Sequence, residues 1–272
     1  MKAGKAFKAI GLLLRKPWML NLILENDQVW QQYLERKYGN LTRLPEIPFS
    51  FVCGNTGHLG PFASLDGGSL PTDLLLLRSL AASFASCRYF EIGTWRGESA
   101  SNVAHVAHHC TTLNLSREAI IARGGSNAYA NEHFRFLKGK KNIRLIEADS
   151  KNFDFSTLYG PFDLVFIDGD HHYESIFQDT RNVFRHVAHE DSIVVWHDYG
   201  RNPETVRPEV LAAILDALPP EKHDALFHVS HTLCAVYAPA IKKSFSEHSK
   251  PAERGSFNIE LRWEPDITED SR

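Results

Sequence analysis

Between Arg88 and Trp196 the chain repeats one pattern: a short apolar run, a turn, then a longer stretch of helical periodicity. The runs are Arg88–Ile92, Thr111–Leu115, Ile143–Glu147, Phe162–Ile167 and Ser192–Trp196. Such runs, bounded by turn residues, read as strands, and Ser99–His109, Asn127–Leu137 and Tyr173–Ala188 read as helices. Parallel strands cannot be joined by a tight turn, so strand-helix alternation implies a parallel sheet with right-handed crossovers. Phe162–Ile167 is the most apolar run, as a strand covered on both faces should be. A further helix, Glu209–Leu218, stops at Pro219-Pro220, and Ala225–Val229 then faces Thr232–Tyr237 across Ser230-His231 as a hairpin.

The expected fold class is therefore α/β: a Rossmann-like, doubly wound, mostly parallel sheet of about seven strands with a C-terminal antiparallel hairpin, plus N-terminal helices. Four regions follow. Residues 1–45 form a helical extension, helical to about Tyr38 and stopping at Gly39-Asn40. Residues 46–72 are a Gly/Pro-rich loop, readable as a lid, without the Gly-Lys-Ser/Thr ending of a phosphate-binding loop. Residues 73–240 carry the main domain, entered by a helix that Thr72 or Asp73 could cap, and residues 241–272 are a polar C-terminal arm.

Composition narrows the function. A net charge of −3 with both signs mixed offers nucleic acid no general attraction, so no nucleic-acid partner is expected. Four scattered cysteines without metal-knuckle spacing read as buried thiols in a reducing compartment. At the N-terminus, Lys2, Lys5, Lys8, Arg15 and Lys16 surround Ile10–Leu14, while Arg15-Lys16-Pro17 interrupts any membrane span and no cleavage site is evident. The protein is expected to be cytoplasmic. Its basic amphipathic helix has two open readings: packing on its own domain or a second subunit as a homo-oligomer, or peripheral contact with an anionic membrane.

In an open parallel sheet, ligands bind beyond the carboxyl ends of the strands. The first strand ends in Glu91-Ile92-Gly93-Thr94-Trp95-Arg96-Gly97-Glu98-Ser99. Gly93 and Gly97 permit a tight turn and close ligand approach, but Thr94-Trp95 stands where a dinucleotide fingerprint needs its second glycine. The acidic residue before the glycine suits a cationic ligand better than a pyrophosphate.

This segment resembles motif I of class I methyltransferases. Ile146-Glu147-Ala148-Asp149-Ser150, Phe162–His171 and Val194–Tyr199 resemble the later motifs of the small-molecule O-methyltransferase branch, in family order, over roughly Asp73 to Pro239. The resemblance implies S-adenosylmethionine as cofactor, held by Glu91, Gly93, Thr94, Gly97, Ser99, Asn114, Asp149 and Ser150. Asn114 departs from the pattern, since the family usually closes its second strand with an acidic residue that grips the ribose.

By the same resemblance, Asp168, His197 and Asp198 occupy positions that are oxygen ligands in metal-dependent catechol-type relatives. A Mg²⁺ or Mn²⁺ ion there would lower the pKa of an acceptor hydroxyl, and an imidazole suits Mn²⁺ better. Asp168 and His171 are the catalytic candidates. His171 takes the place of the catechol enzymes' lysine and is the expected general base, with His172 as alternative. Against this stands the plainer reading that Asp168 and Asp198 merely bond backbone at strand ends. Most of the 14 histidines need no functional account; His105, His108 and His109 read as one solvated helix face.

The expected function is methylation of a small hydroxylated acceptor, and the sugar-modifying branch shares the Ile-Asp-Gly-Asp and His-Asp-Tyr pattern. Two other classes stay in view: a nicotinamide-dependent oxidoreductase, opposed by the missing glycine, and a non-catalytic assembly module, favoured by Asn114.

Overall fold

The computed structural model describes residues 2–15, 27–65, 67–248 and 255–263. The expected helix at residues 16–26, and the arm at 249–254 and 264–272, lie outside them. Helices α1 (Lys2–Arg15) and α2 (Asp27–Tyr38) precede a two-residue strand β1 (Glu46–Ile47) and a short helix α3 (Phe49–Cys53). The main domain runs α4 (Pro71–Ala82), β2 (Arg88–Ile92), α5 (Glu98–Val103), β3 (His109–Asn114), α6 (Arg117–Ala122), α7 (Asn127–Glu132), β4 (Ile143–Glu147) and β5 (Phe162–Ile167). It continues with α8 (Tyr173–Asn182), β6 (Ala188–Trp196), β7 (Gly200–Asn202), β8 (Thr205–Val206), α9 (Pro208–Ala217), β9 (Leu226–Val229), β10 (Ala235–Tyr237) and α10 (Pro239–His248).

Eight strands form one sheet in the order β4-β3-β2-β5-β6-β10-β9-β1, with β7-β8 a separate antiparallel pair. Strands β2 to β6 are mutually parallel, and β10 runs antiparallel between β6 and β9. This is the expected doubly wound sheet with its closing hairpin. The eighth strand is β1, which pairs parallel with β9 through Glu46↔His228 and Ile47↔Val229. It falls within the expected Gly/Pro-rich loop, because two residues are too few for a periodicity signal.

Helices cover both faces. On one, Phe90, Val165, Ile167, Val194 and Trp196 pack with α8 and α9; on the other, Tyr89, Leu164, Phe166 and Val195 pack with α4 and α5. Alternation along each strand sends successive side chains into opposite cores, which is why β5 reads as apolar from Leu164 to Ile167. Three helix boundaries differ from expectation. Helix α5 stops at Val103, where Asn142 Nδ2 donates to the carbonyls of Ala104 and Ala107 at 2.9 and 3.2 Å, so the histidines at 105–109 do not share a helix face. Residues 127–137 divide into α7 and the single turn Arg135–Leu137, and α8 widens at Val183–Val187 before β6 begins. Residues 239–248 of the expected polar stretch are helical.

The loop before α4 lies on α5. Glu98 Oε1 accepts from the Ala63 amide at 2.6 Å, and Asn102 accepts from Gly60 N–H at 2.6 Å while donating to Pro61 O at 2.8 Å. The four cysteines are buried free thiols. No helix among the described residues is long and apolar enough to cross a membrane.

Helix α2 is tied to the domain at its start by Asp27, which accepts from Arg201 Nε and Nη2 at 3.1 and 2.8 Å, and at its other end by the Asp216 carboxylate. Asp216 on α9 accepts from the hydroxyls of Tyr33, Tyr38 and Tyr173 and from Lys37 Nζ, the last two at 2.7 and 2.8 Å. Burial works against its charge, yet Lys37 and the phenols keep its pKa below the usual carboxylate value. Trp30 also stacks on Tyr173 at 4.8 Å. Replacing Asp216 with Ala leaves three phenols without their acceptor. Urea unfolding should show a loss of about 2–4 kcal/mol, and limited proteolysis should cut within residues 27–38. A variant as stable and as protease-resistant as wild type would show that the Asp27–Arg201 pair and the apolar contacts hold α2 without Asp216.

Candidate active site

The site is built by strand register. Ile92 pairs with Ile167 and Ile167 with Trp196, so the next residues, Gly93, Asp168 and His197, leave the sheet abreast. Three backbone bonds seal this edge: Gly93 N to Leu113 O at 2.9 Å, Asp168 N to Ile92 O at 2.8 Å and His197 N to Ile167 O at 3.0 Å. Gly93 sits at φ +93°, and a Cβ there would lie 1.8 Å from the Asp168 carbonyl oxygen. Glycine is required for the β2 turn to pass under the end of β5. Gly97, at φ +85°, closes the turn by donating to Thr94 O at 2.7 Å, and a side chain there would strike Leu137.

Beneath the turn lies a polar set that faces the protein. The Glu91 carboxylate is fully buried and accepts from Tyr89 Oη at 2.6 Å, Ser99 Oγ at 2.8 Å and Thr112 Oγ1 at 2.9 Å. Thr94 Oγ1 bonds Thr112 Oγ1. Asn114 Oδ1 accepts the Thr94 amide at 2.9 Å and its Nδ2 donates to Leu115 O at 2.9 Å, so this side chain braces the glycine turn. Asp149 lies at the end of β4, ion-paired with Arg123 at 2.5 Å, and Ser150 next to it bonds the buried Asp179. The expected cofactor residues thus fall into a buried layer (Glu91, Thr94, Ser99), a brace (Asn114) and an outer pair (Asp149, Ser150) along one edge.

Asp168, His197 and Asp198 come together, with one ligand atom from each within 4.8 Å of the others. His197 Nδ1 lies 2.9 Å from Asp168 Oδ1 and 3.7 Å from Asp198 Oδ2. His171 lines the same cavity, about 10 Å³, room for one water-sized particle. His172 instead turns its Nδ1 onto Asp170, which separates the two histidines that sequence left as alternatives. Asp198 adopts φ 57°, a left-handed conformation uncommon for a non-glycine residue.

Two residues of the site carried no signal in sequence. Asp73, expected only as a helix cap, is wholly buried and places Oδ2 3.1 Å from His197 Nε2. Arg207, at the entry to α9, lies 3.5 Å from Asp198 Oδ1. Burial opposes the charge on His197, but carboxylates on both its nitrogens raise its pKa well above the usual imidazole value. Burial likewise opposes ionisation of Asp198, but His197 and Arg207 hold it down at about 2. The cluster therefore gathers three carboxylates around one imidazole. That donor set fits a hard divalent cation with an imidazole in its shell.

Residues 90–199 match the family described as Methyltransferase domain. Among solved structures, cofactor-bound Rv0187 from MTB is 21% identical, covering 64% of this chain and 82% of that one at a TM-score of 0.46. SAH-bound methyltransferase PaMTH1 of Podospora anserina is 19% identical over 64% and 80%, TM-score 0.45. CalS11, a TDP-rhamnose 3'-O-methyltransferase of calicheamicin biosynthesis, is 17% identical over 61% and 79%, TM-score 0.43. No curated protein matches the chain significantly. The matched segment runs from β2 through the glycine turn to the residues just past β6, on a sheet whose reversed strand β10 lies beyond β6.

Burial against the three hydroxyl donors leaves the Glu91 pKa raised to about 7, desolvation outweighing the bonds. The unfolded chain titrates this group near the ordinary value of about 4.3. Between those two values the native state binds the extra proton, so this group's contribution to stability falls as pH rises, and the full penalty stands above about 7. Glu91→Gln, whose amide the three hydroxyls can still bond, should melt close to wild type near about pH 5 and above it near about pH 8. Scanning calorimetry across that range checks this. A difference that does not change with pH would mean Glu91 is ionised throughout.

Proposed function

We propose that the protein is an O-methyltransferase that moves the methyl group of S-adenosylmethionine to a small hydroxylated acceptor, such as a sugar or glycan precursor. The reading is carried by one observation: Asp168, His197, Asp198 and His171 line a single small cavity one residue beyond the sheet, beside the Gly93 turn.

Asp168, His197 and Asp198 would hold a divalent cation, Mg²⁺ or Mn²⁺. When bound, such an ion lowers the pKa of a coordinated hydroxyl toward neutrality. His171 takes the acceptor's proton as the acceptor oxygen forms its bond to the methyl carbon and the carbon–sulfur bond breaks, its electron pair staying on sulfur. The sulfonium charge disappears in that step, so the chain contributes chiefly by alignment and exclusion of water. The Gly93–Gly97 turn supplies close backbone approach for the donor, while Asp149 and Ser150 at the end of β4 suit its adenosine end. The acceptor class rests on the Ile167-Asp168-Gly169-Asp170 and His197-Asp198-Tyr199 segments, shared with the sugar-modifying branch.

Calorimetric titration of S-adenosylmethionine into the protein, with and without Mn²⁺, should give saturable binding, followed by turnover on a panel of hydroxylated sugars. His171→Asn should lower kcat by about 10²–10⁴ while leaving donor binding intact. Asp168→Asn should abolish the metal dependence. Absence of donor binding under every condition would favour the assembly-module reading, to which the use of Asn114 as a brace lends weight.

A further inference from the structure

We propose that Asp73 is a positioning residue that turns the His197 ring so that Nδ1 faces the Asp168–Asp198 carboxylates. The inference rests on the cation-binding reading of that cluster.

Asp73 is the third residue of α4, 124 positions before His197, and has no solvent exposure. Its carboxylate is immobilised by backbone from two separate segments. Oδ2 accepts the Leu70 amide at 2.8 Å and Oδ1 accepts the Leu233 amide, in the β9–β10 connection, at 2.8 Å. Cys234 Sγ lies 3.6 Å from Oδ1. Among the described residues its remaining partner is His197 Nε2, 3.1 Å from Oδ2.

An ionised carboxylate only accepts hydrogen bonds, so Nε2 of His197 must carry the proton it donates. Turning the ring over would set carbon against Asp73 and lose the bond on both sides. With Nε2 fixed as donor, Nδ1 is the nitrogen presented to Asp168 at 2.9 Å, and a cation bound among these carboxylates would take the place of the Nδ1 proton. A helix cap needs one oxygen at a half-exposed end. Here both oxygens are engaged in the interior, and one reaches a site residue across the sheet edge.

The test is Mn²⁺ binding to the full chain, read from the free-ion electron paramagnetic resonance signal without donor or acceptor. Asp73→Asn should weaken Mn²⁺ binding by about 10–100-fold while keeping a cooperative melt. Asp73→Ser, which keeps an oxygen for the helix entry but stops short of His197, carries the same expectation should the first variant not fold. In a His197→Ala background the Asp73 substitution should add less than about a twofold further loss, because coupled residues are non-additive. Wild-type affinity in both Asp73 variants, or an equal loss with and without His197, overturns the positioning role and leaves the cation site standing. Absence of Mn²⁺ binding in wild type, or binding that survives Asp168→Asn, overturns the cation reading and this inference with it.

Discussion

In the ladder β2–β5–β6, each strand ends at the same height because Ile92, Ile167 and Trp196 are paired in register. A parallel sheet buried on both faces cannot slip that register without moving whole sets of apolar side chains out of their cores. The three residues that follow are therefore held to within a hydrogen bond of one another. Gly93 makes this workable, since any side chain there would occupy the space of the Asp168 carbonyl. The glycine turn and the end of β5 that carries Asp168 are thus two consequences of one packing constraint.

The polar groups at this edge are satisfied in two ways. Under the turn, Glu91 is surrounded by hydroxyls and sits in the interior at the cost of a raised pKa. At the ends of β5 and β6, Asp73, Asp168 and Asp198 share one imidazole, with Arg207 adding a second positive charge at the rim. Removing one member of such a buried set strands the others, so the cluster behaves as a unit. It also ties together five separate pieces of chain: the entry to α4, the end of β5, the end of β6, the β9–β10 connection and the start of α9.

Legibility followed burial and length. Arg88–Ile92 and Phe162–Ile167 appear with the limits that their apolar runs imply, because side-chain pattern alone defines a strand packed between helix layers, and the edge strand Ile143–Glu147 also keeps its expected limits. Glu46–Ile47 was hidden because its partner β9 lies some 180 residues away, as the pairing of Glu46 with His228 shows. The histidines at 105–109 looked helical by spacing, but Asn142 ends that helix through side-chain bonds that no local pattern announces. Asn114 illustrates the limit at the site: its place at the end of β3 was readable, while its use as a brace for Thr94 depends on where the turn folds back.

By itself the sequence determined the layered α/β class, the chain order of the five parallel strands and the closing hairpin, and the grouping of Asp168, His197 and Asp198 just past two strand ends, but not helix α6, the β7–β8 pair or helix α10. Periodicity, turn chemistry and motif spacing are local properties, and those conclusions need nothing more. Only the tertiary structure decided that Asp73 belongs with His197, that His171 rather than His172 lines the cavity, and that Glu91 points inward. Each of those outcomes is set by which side chains meet in three dimensions, across 124 positions for Asp73 and His197 and by the direction a side chain turns for His172 and Glu91, and periodicity specifies neither.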